Sequence, residues 1–215
     1  MCKLSDFDYE IPKDLIAQFP LKERDQSRLL IFNKKSKTIE HKKFHQIVDY
    51  LKKGDLLVFN NTKVLPARLM GRKNTGGVVE VLLLNEKKPY EWEVILKASG
   101  KPKPGDQIEF GASAMFGTVV DTNGKGKVTI FLTSSNGQFK ESKEFWETMD
   151  RLGIMPLPPY IKRDRHDNST NAEDKQRYQT VFAEKKGAIA APTAGLHFTE
   201  HLLEKIKDKG VESAF

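Results

Sequence analysis

His197 is the residue whose setting is best suited to moving a proton. It stands in AAPTAGLHFTEHLL, residues 190–203, with a loop of small residues before it and an amphipathic helix after it. An imidazole is the side chain that exchanges protons near neutral pH. Gly195 and His197 also lie close to the helix N-terminus, where unpaired N–H groups favour an anionic ligand. A tight strand-to-helix turn would use the same residues. Two other stretches carry chemistry. NNTKVLPARLMG, residues 60–71, sets two amides, a hydroxyl, Lys63 and Arg68 just after an apolar run, the place where α/β proteins bind ligands; a hinge between domains would suit it too. MPLPPYIKR, residues 155–163, presents Tyr160 on a proline-stiffened frame beside Lys162 and Arg163. Its ring can stack on a base or a sulfonium cation, or pack as part of a rigid linker.

Other constellations are missing. The sequence has no GxxxxGKS/T, GxGxxG or HExxH pattern. GRKNTGG, residues 71–77, falls between strand-like runs and precedes no helix, so it reads as a hairpin turn. Among five histidines, at 41, 45, 166, 197 and 201, His197 and His201 stand at a helical spacing. His197 precedes the expected N-cap, so the two do not share a helix face and do not form a metal pair. Cys2, the single cysteine, excludes an internal disulfide and a cysteine-based zinc site, and its terminal position makes it a poor nucleophile.

Several elements must position these groups. Thr199 is the expected N-cap of the last helix, with Phe198 placed to staple onto Leu203, Leu202, Leu203 and Ile206 as its apolar stripe, and Gly210 as its stop. VESAF, residues 211–215, reads as the strand that follows. Near the N-terminus, IPKDLIAQF (residues 11–19) reads as a short helix opened by Pro12, and RLLIF (28–32) as a short buried strand. Phe44, Ile47, Val48 and Leu51 recur at i, i+3, i+4 and i+7, predicting an amphipathic helix over 44–53 ended by Gly54. DLLVFN (55–60) reads as a strand covered on both faces. From about 66 to 135 short strand-like runs alternate with the turn clusters NTGG, KPKPGD and NGKG, the pattern of a small antiparallel barrel or sandwich. Helical periodicity returns at Phe145, Met149 and Leu152 with Gly153 as stop. MPLPPYI is then extended, residues 162–173 form a polar mobile loop, and helix-to-strand alternation resumes through RYQTVFA. The fold class that follows is an α/β (α+β mixed) domain, residues 1–64 and 136–215, interrupted by a small antiparallel β-barrel domain, residues 65–135.

Bulk composition narrows the function classes. With 38% hydrophobic and 30% charged residues over 215 positions, the chain has the make-up of a soluble globular protein. No apolar run approaches the roughly 20 residues of a spanning helix, and the acidic, proline-interrupted N-terminus is no secretory signal. A cytoplasmic location and no membrane partner are the expectation. The net charge of +7 suits a polyanion such as RNA, though interspersed cations also make an ordinary solvated surface.

Four blocks, DLIAQFPLKERDQSRLL, GDLLVFNNTKVLPARLMG, MPLPPYIKR and RYQTVFAEKKGAIAAPTAGLHFTEHLL, in this order closely resemble the S-adenosylmethionine:tRNA ribosyltransferase-isomerase family of queuosine biosynthesis. The resemblance runs from Leu4 to Phe215. It implies transfer and isomerisation of the ribosyl portion of S-adenosylmethionine onto 7-aminomethyl-7-deazaguanine at the tRNA wobble position. The implied products are epoxyqueuosine-tRNA, adenine and methionine. S-adenosylmethionine would be a cosubstrate, with no permanently bound cofactor and no metal, and the protein a monomer. On family-matching positions the resemblance places His197 at the proton-transfer step, with Thr193 and Gly195 shaping its loop. Arg24, Arg28 and Arg68, with Asn60, Asn61 and Thr62, would meet ribose, the methionine carboxylate or phosphates. Tyr160 and Tyr178 would stack on adenine or the target base, with Gln179, Pro192 and Phe198 completing the substrate-binding set.

Family members continue beyond the position matching Phe215, through a glycine-rich HVGxGTF-type segment. The present chain is therefore expected to leave a sheet edge unpaired and apolar surface exposed, and to be poorly soluble or inactive in isolation. The competing expectation is a non-catalytic tRNA-binding module that grips RNA without releasing adenine.

Overall fold

The structure, a computed structural model, describes residues 3–122, 126–163 and 171–215. The readings of Cys2, of His166, of the 123–125 part of NGKG and of the 164–170 part of the polar loop lie outside these residues.

The six strand-like runs between 66 and 135 are all strands. They are β5 (Arg68–Lys73), β6 (Val78–Lys88), β7 (Glu91–Ala98), β8 (Gln107–Phe110), β9 (Met115–Thr122) and β10 (Lys127–Ser134). They close into an antiparallel barrel in the order β10-β7-β6-β5-β8-β9. Alternate side chains fill it, as the two-residue period of a strand requires: Val79, Val81 and Leu83 of β6, Trp92 and Val94 of β7, and Val128, Ile130 and Leu132 of β10 are all buried. GRKNTGG makes the β5–β6 hairpin, in which the Gly76 N–H donates to the Lys73 carbonyl at 2.8 Å. Gly71 is required by close approach, because a Cβ there would sit 2.6 Å from the Glu109 carbonyl oxygen of β8.

The barrel core continues into helix α1 (Ser142–Leu152). Phe139, Phe145 and Met149 belong to the same buried cluster as the barrel interior, and the Phe145 ring stacks on Trp92 at 6.2 Å. α1 forms where the Phe145, Met149 and Leu152 spacing places it, and ends before Gly153.

Among the described residues, three small sheets, two further α-helices and short 3₁₀ turns make up the rest. β1 (Arg28–Phe32) and β2 (Ile39–Lys43) form an antiparallel hairpin. β3 (Leu56–Val58) pairs in parallel with β12 (Glu212–Ala214), and β4 (Thr62–Val64) with β11 (Lys185–Ala188). The helices are α2 (Asn171–Arg177) and α3 (Glu200–Asp208). Mixed helix and strand with a closed barrel is the architecture, in agreement with the α/β-plus-barrel reading.

The termini of α3 follow from sequence. Thr199 Oγ1 accepts from the Leu202 N–H at 3.1 Å. At the other end the Gly210 N–H donates to the Lys207 carbonyl and the Val211 N–H to that of Ile206, with Gly210 at φ +80°; this is a Schellman stop. Leu202 and Ile206 are buried, and with Phe44, Phe198 and Val211 they form the core that Leu203 packs against. Removing the cap with Thr199→Ala is expected to cost about 1 kcal/mol, read as a Tm lower by roughly 2–4 °C.

Six local expectations are corrected. Residues 11–19 hold a single 3₁₀ turn, Lys13–Leu15, instead of a helix; the carbonyls a helix would use are taken by side chains, Ile16 O by Gln18 Nε2 and Gln18 O by Arg163. Residues 44–53 form a 3₁₀ helix, Phe44–Tyr50, because Phe44 is fixed at one end by the Ser27 carbonyl and Gln46 caps the Lys43 N–H at 2.9 Å. β1 is only half buried, Leu29 and Ile31 facing inward. β3 is bare on one face, with Leu56 55% and Val58 75% exposed, since its sheet has two strands and only Leu57 reaches the α3 core. Asn171, Ala172 and Glu173, expected in the mobile loop, open α2, and Tyr178–Ala183 is irregular instead of helical or extended.

Candidate functional site

Three arginines and a glutamine tie the segment before β1 to the region around α2. The Arg163 guanidinium grips Asp174 of α2 in a bidentate pair, both contacts 2.9 Å, donates to Gln18 O at 2.8 Å and lies over the Phe19 ring at 4.7 Å. Arg177 donates to the carbonyls of Leu21 and Lys22. Arg24 donates to the carbonyls of Gln176, Arg177, Gln179 and Leu196. Gln18 accepts from the Lys162 N–H at 2.7 Å and donates to Tyr160 O at 3.1 Å.

This lacing encloses a cavity of about 470 Å³, a size suited to a small-molecule ligand. Its walls are apolar where Ala17, Phe19, Pro20, Leu157, Pro158 and Leu196 contribute. Arg24, Arg28, Tyr160, Tyr178, Thr193 and His197 are among its polar groups, beside Gln18, Ser27 and the Arg163, Asp174 and Arg177 of the lacing. Six of the sequence-derived candidates therefore converge although they come from four separate stretches.

His197 ends a 3₁₀ turn, Thr193–His197, immediately before the Thr199 cap. Its ring lies 5.1 Å from that of Phe44, and Phe44 packs edge-on against Phe198 at 4.9 Å. Among the described residues the imidazole makes no hydrogen bond, which leaves a ring nitrogen open to a substrate proton. Gly195 packs against Thr180 and Phe182, where a Cβ would come within 3.0 Å and 3.1 Å. Its N–H donates to Pro192 O at 2.8 Å, so it shapes the turn and offers no free donor.

Of the four arginines that line the cavity, Arg24 and Arg28 differ in what holds them. Arg24 has its donors occupied by four carbonyls, and burial, followed by the charge of Arg177, lowers its pKa from the ordinary arginine value. Arg28 has no ion-pair partner among the described residues, which makes it the cation free for a carboxylate or phosphate. Tyr178 is buried; burial chiefly, and Tyr160 to a lesser degree, push its phenol up, against a lowering by its hydrogen bond at Ala191. A raised folded-state pKa gives a stabilisation present below the unfolded value, near 10, and lost as pH rises through the folded one. Ultraviolet titration of phenolate is therefore expected to show one tyrosine ionising late, together with the loss of fold.

Other candidates lie elsewhere. Gln179 pairs with Val64 as a strand residue would, its Oε1 accepting from the Val64 N–H at 2.9 Å and its Nε2 donating to the Val64 carbonyl at 2.7 Å. Asn61 binds Glu184, and Asn60 Oδ1 accepts from the Thr62 N–H. Arg68 exchanges backbone hydrogen bonds with Ile154 and its side chain faces Glu80 of the barrel at 3.7 Å. Phe198 is buried in the α3 core, and Pro192 caps the turn that carries His197. None of these lines the cavity. Sequence reading missed Gln18, Phe19, Asp174 and Arg177, and noted Arg163 only as a neighbour of Tyr160; Arg163 and Asp174 are ordinary surface-type residues 11 positions apart, and nothing local marks them as partners.

Among the described residues no group of three or more His, Cys, Asp or Glu is placed to hold a metal ion. No helix among them is long and apolar enough to cross a membrane.

A family model described as queuosine biosynthesis protein matches residues 4–215. The chain belongs to this family. Among its relatives, the S-adenosylmethionine:tRNA ribosyltransferase-isomerase of Desulforamulus reducens is 46% identical over 210 residues, 97% of this chain and 58% of that protein. The protein of the same name from Clostridioides difficile is 45% identical over 214 residues, 99% of this chain and 59% of that one. The chain thus spans somewhat under three-fifths of the length of these curated relatives. The crystal structure of a Thermotoga maritima S-adenosylmethionine tRNA ribosyltransferase is 29% identical, with a TM-score of 0.36, over 97% of this chain and 56% of that one.

Proposed function

We propose that this chain carries the S-adenosylmethionine site of a tRNA ribosyltransferase-isomerase. In this reading the ribosyl portion of S-adenosylmethionine passes to 7-aminomethyl-7-deazaguanine at the tRNA wobble position, giving epoxyqueuosine-tRNA, adenine and methionine. The observation that carries the reading is the cavity in which His197, Arg28, Tyr160 and Tyr178 meet. The names of the 46% and 45% identical relatives support the substrate class.

The chemistry assigns each group a task. The sulfonium acidifies the adjacent C–H, and His197, whose ring nitrogens make no hydrogen bond among the described residues, takes that proton. Tyr160 and Tyr178 place aromatic faces where a sulfonium cation or adenine is attracted. Arg28 meets the methionine carboxylate. Arg24, Arg163 and Arg177 act on the protein, holding the segment that walls the cavity. The barrel and α1 form the inserted unit, and the shared Phe139, Phe145 and Met149 core leads us to place its closing boundary at Leu152.

A second reading is favoured by the net charge of +7, which suits a polyanion. It retains RNA binding and drops turnover. Incubating the chain with S-adenosylmethionine and tRNA bearing the aminomethyl base separates the two: adenine release supports the transferase, and salt-dependent tRNA binding without adenine release supports the binding module.

A further inference from the structure

The hairpin of β1 and β2 presents an outward face that its own packing does not explain. Residues directly opposite on antiparallel strands share a face, so the register puts Arg28 with Lys43, Leu30 with His41, and Phe32 with Ile39 on one side. The inner side holds Leu29 and Ile31 with Lys42 and Glu40. On the outer side Leu30 is 58%, Phe32 49% and Ile39 58% exposed. Two cations face each other across the strands, an arrangement that costs stability, and among the described residues neither has a carboxylate partner. The acid of the hairpin, Glu40, is on the inner side, paired with Lys42 at 3.8 Å. At the turn, Lys37 stands over the Phe32 ring, 5.9 Å from its centre.

The barrel is the contrast. There Lys127 and Lys87 are paired with Glu93, Lys88 with Glu91, Lys97 with Glu80, and Lys73 with Asp106. Positive charge on that surface is largely balanced, whereas on the hairpin face it is not.

The geometry points to this face as the track along which the RNA backbone is held and a base is stacked, leading the target nucleotide into the cavity. Three features select RNA over another partner. Beyond Arg28 the face carries Lys43, with Lys37 at the turn, and no acid, which suits phosphates. It carries an exposed aromatic ring beside a lysine, which suits base stacking. And Arg28 lies at once at the head of the strand and in the cavity wall, so a bound strand runs without a break from Phe32 to the site, about 13 Å at strand spacing. This inference rests on the proposed reading that the substrate is tRNA, and it names the surface that reads its backbone.

The test uses the whole chain, an unmodified tRNA transcript and fluorescence anisotropy over a salt series. Lys37→Gln with Lys43→Gln is expected to weaken RNA binding at least tenfold and to lower the salt slope by roughly 1.4–1.8, the loss of two phosphate contacts. Phe32→Ala is expected to weaken it about five- to a hundredfold with the slope unchanged, the signature of lost stacking. A charge-matched control on a barrel loop, Lys101→Gln with Lys103→Gln, is expected to stay within twofold, and all variants to keep the wild-type Tm. Equal losses in hairpin and control variants overturn the proposal. So does tighter binding to phosphatidylserine vesicles than to RNA, or a Phe32→Ala variant that only dissociates a dimer. The activity reading fails separately: a chain that does not bind S-adenosylmethionine, yet binds RNA through the hairpin, sinks that reading and leaves this surface standing. A chain with no RNA affinity overturns both.

Discussion

His197→Asn is expected to reduce adenine release at least about 100-fold while S-adenosylmethionine still binds within about threefold of wild type, since a positioned general base contributes on the order of 10²–10⁴ in rate. Asparagine is smaller and keeps a polar tip, but takes up no proton. The split between lost rate and kept binding matters, because the Phe44–His197 contact at 5.1 Å also gives the ring a packing role. A purely structural residue would lower binding and Tm together. Parallel assays of adenine release, ligand titration and thermal unfolding distinguish the two.

Asp174→Ala is expected to be the most damaging single change to the fold around the site. It leaves the Arg163 guanidinium without its bidentate carboxylate at a place where both side chains are mostly shielded, 18% and 11% exposed. Removing one partner of a shielded pair strands the other charge and costs about 3–5 kcal/mol. For a domain of this size that lowers Tm by roughly 6–20 °C. The cavity wall is expected to loosen as well, because Arg163 also holds Gln18 O and the Phe19 ring. The double change Arg163→Met with Asp174→Leu removes both charges and is expected to recover most of the stability, which hydrogen exchange over residues 16–24 would follow locally.

The contrast between these two residues explains what a reader of the sequence can and cannot see. His197 is legible because its signals are local: a cap at Thr199, a stop at Gly210 and an apolar stripe between them mark the helix, and the histidine sits just before it. The barrel is legible for a similar reason, since alternation such as Val79, Val81, Leu83 and turns such as Asn74–Gly77 report strands directly. Asp174 is not legible. Its role exists only because residue 163 comes back to meet it, and no short-range pattern records that return. Gln179 misleads for the converse reason: beside Tyr178 it looks like a ligand group, yet it spends both ends of its amide on the Val64 backbone. Arg24 reads as an anion binder and turns out to spend its donors on four carbonyls. The failed helix at 11–19 belongs with these, because Ile16 and Gln18 give their carbonyls to side-chain partners, one of them 145 residues away.

The bare face of β3 shows a further limit of pattern reading. A continuous apolar run such as DLLVFN implies cover on both faces, and in this chain only the inner one is supplied, by Leu57 and the α3 core.

Titration of the chain with S-adenosylmethionine by calorimetry tests the central claim most directly, that the cavity at His197 is the cosubstrate site. The account predicts saturable one-to-one binding, weakened at least tenfold by filling the cavity with Ala17→Trp or Thr193→Trp, both at exposed lining positions, with Tm unchanged. One-to-one binding that neither tryptophan disturbs would contradict it.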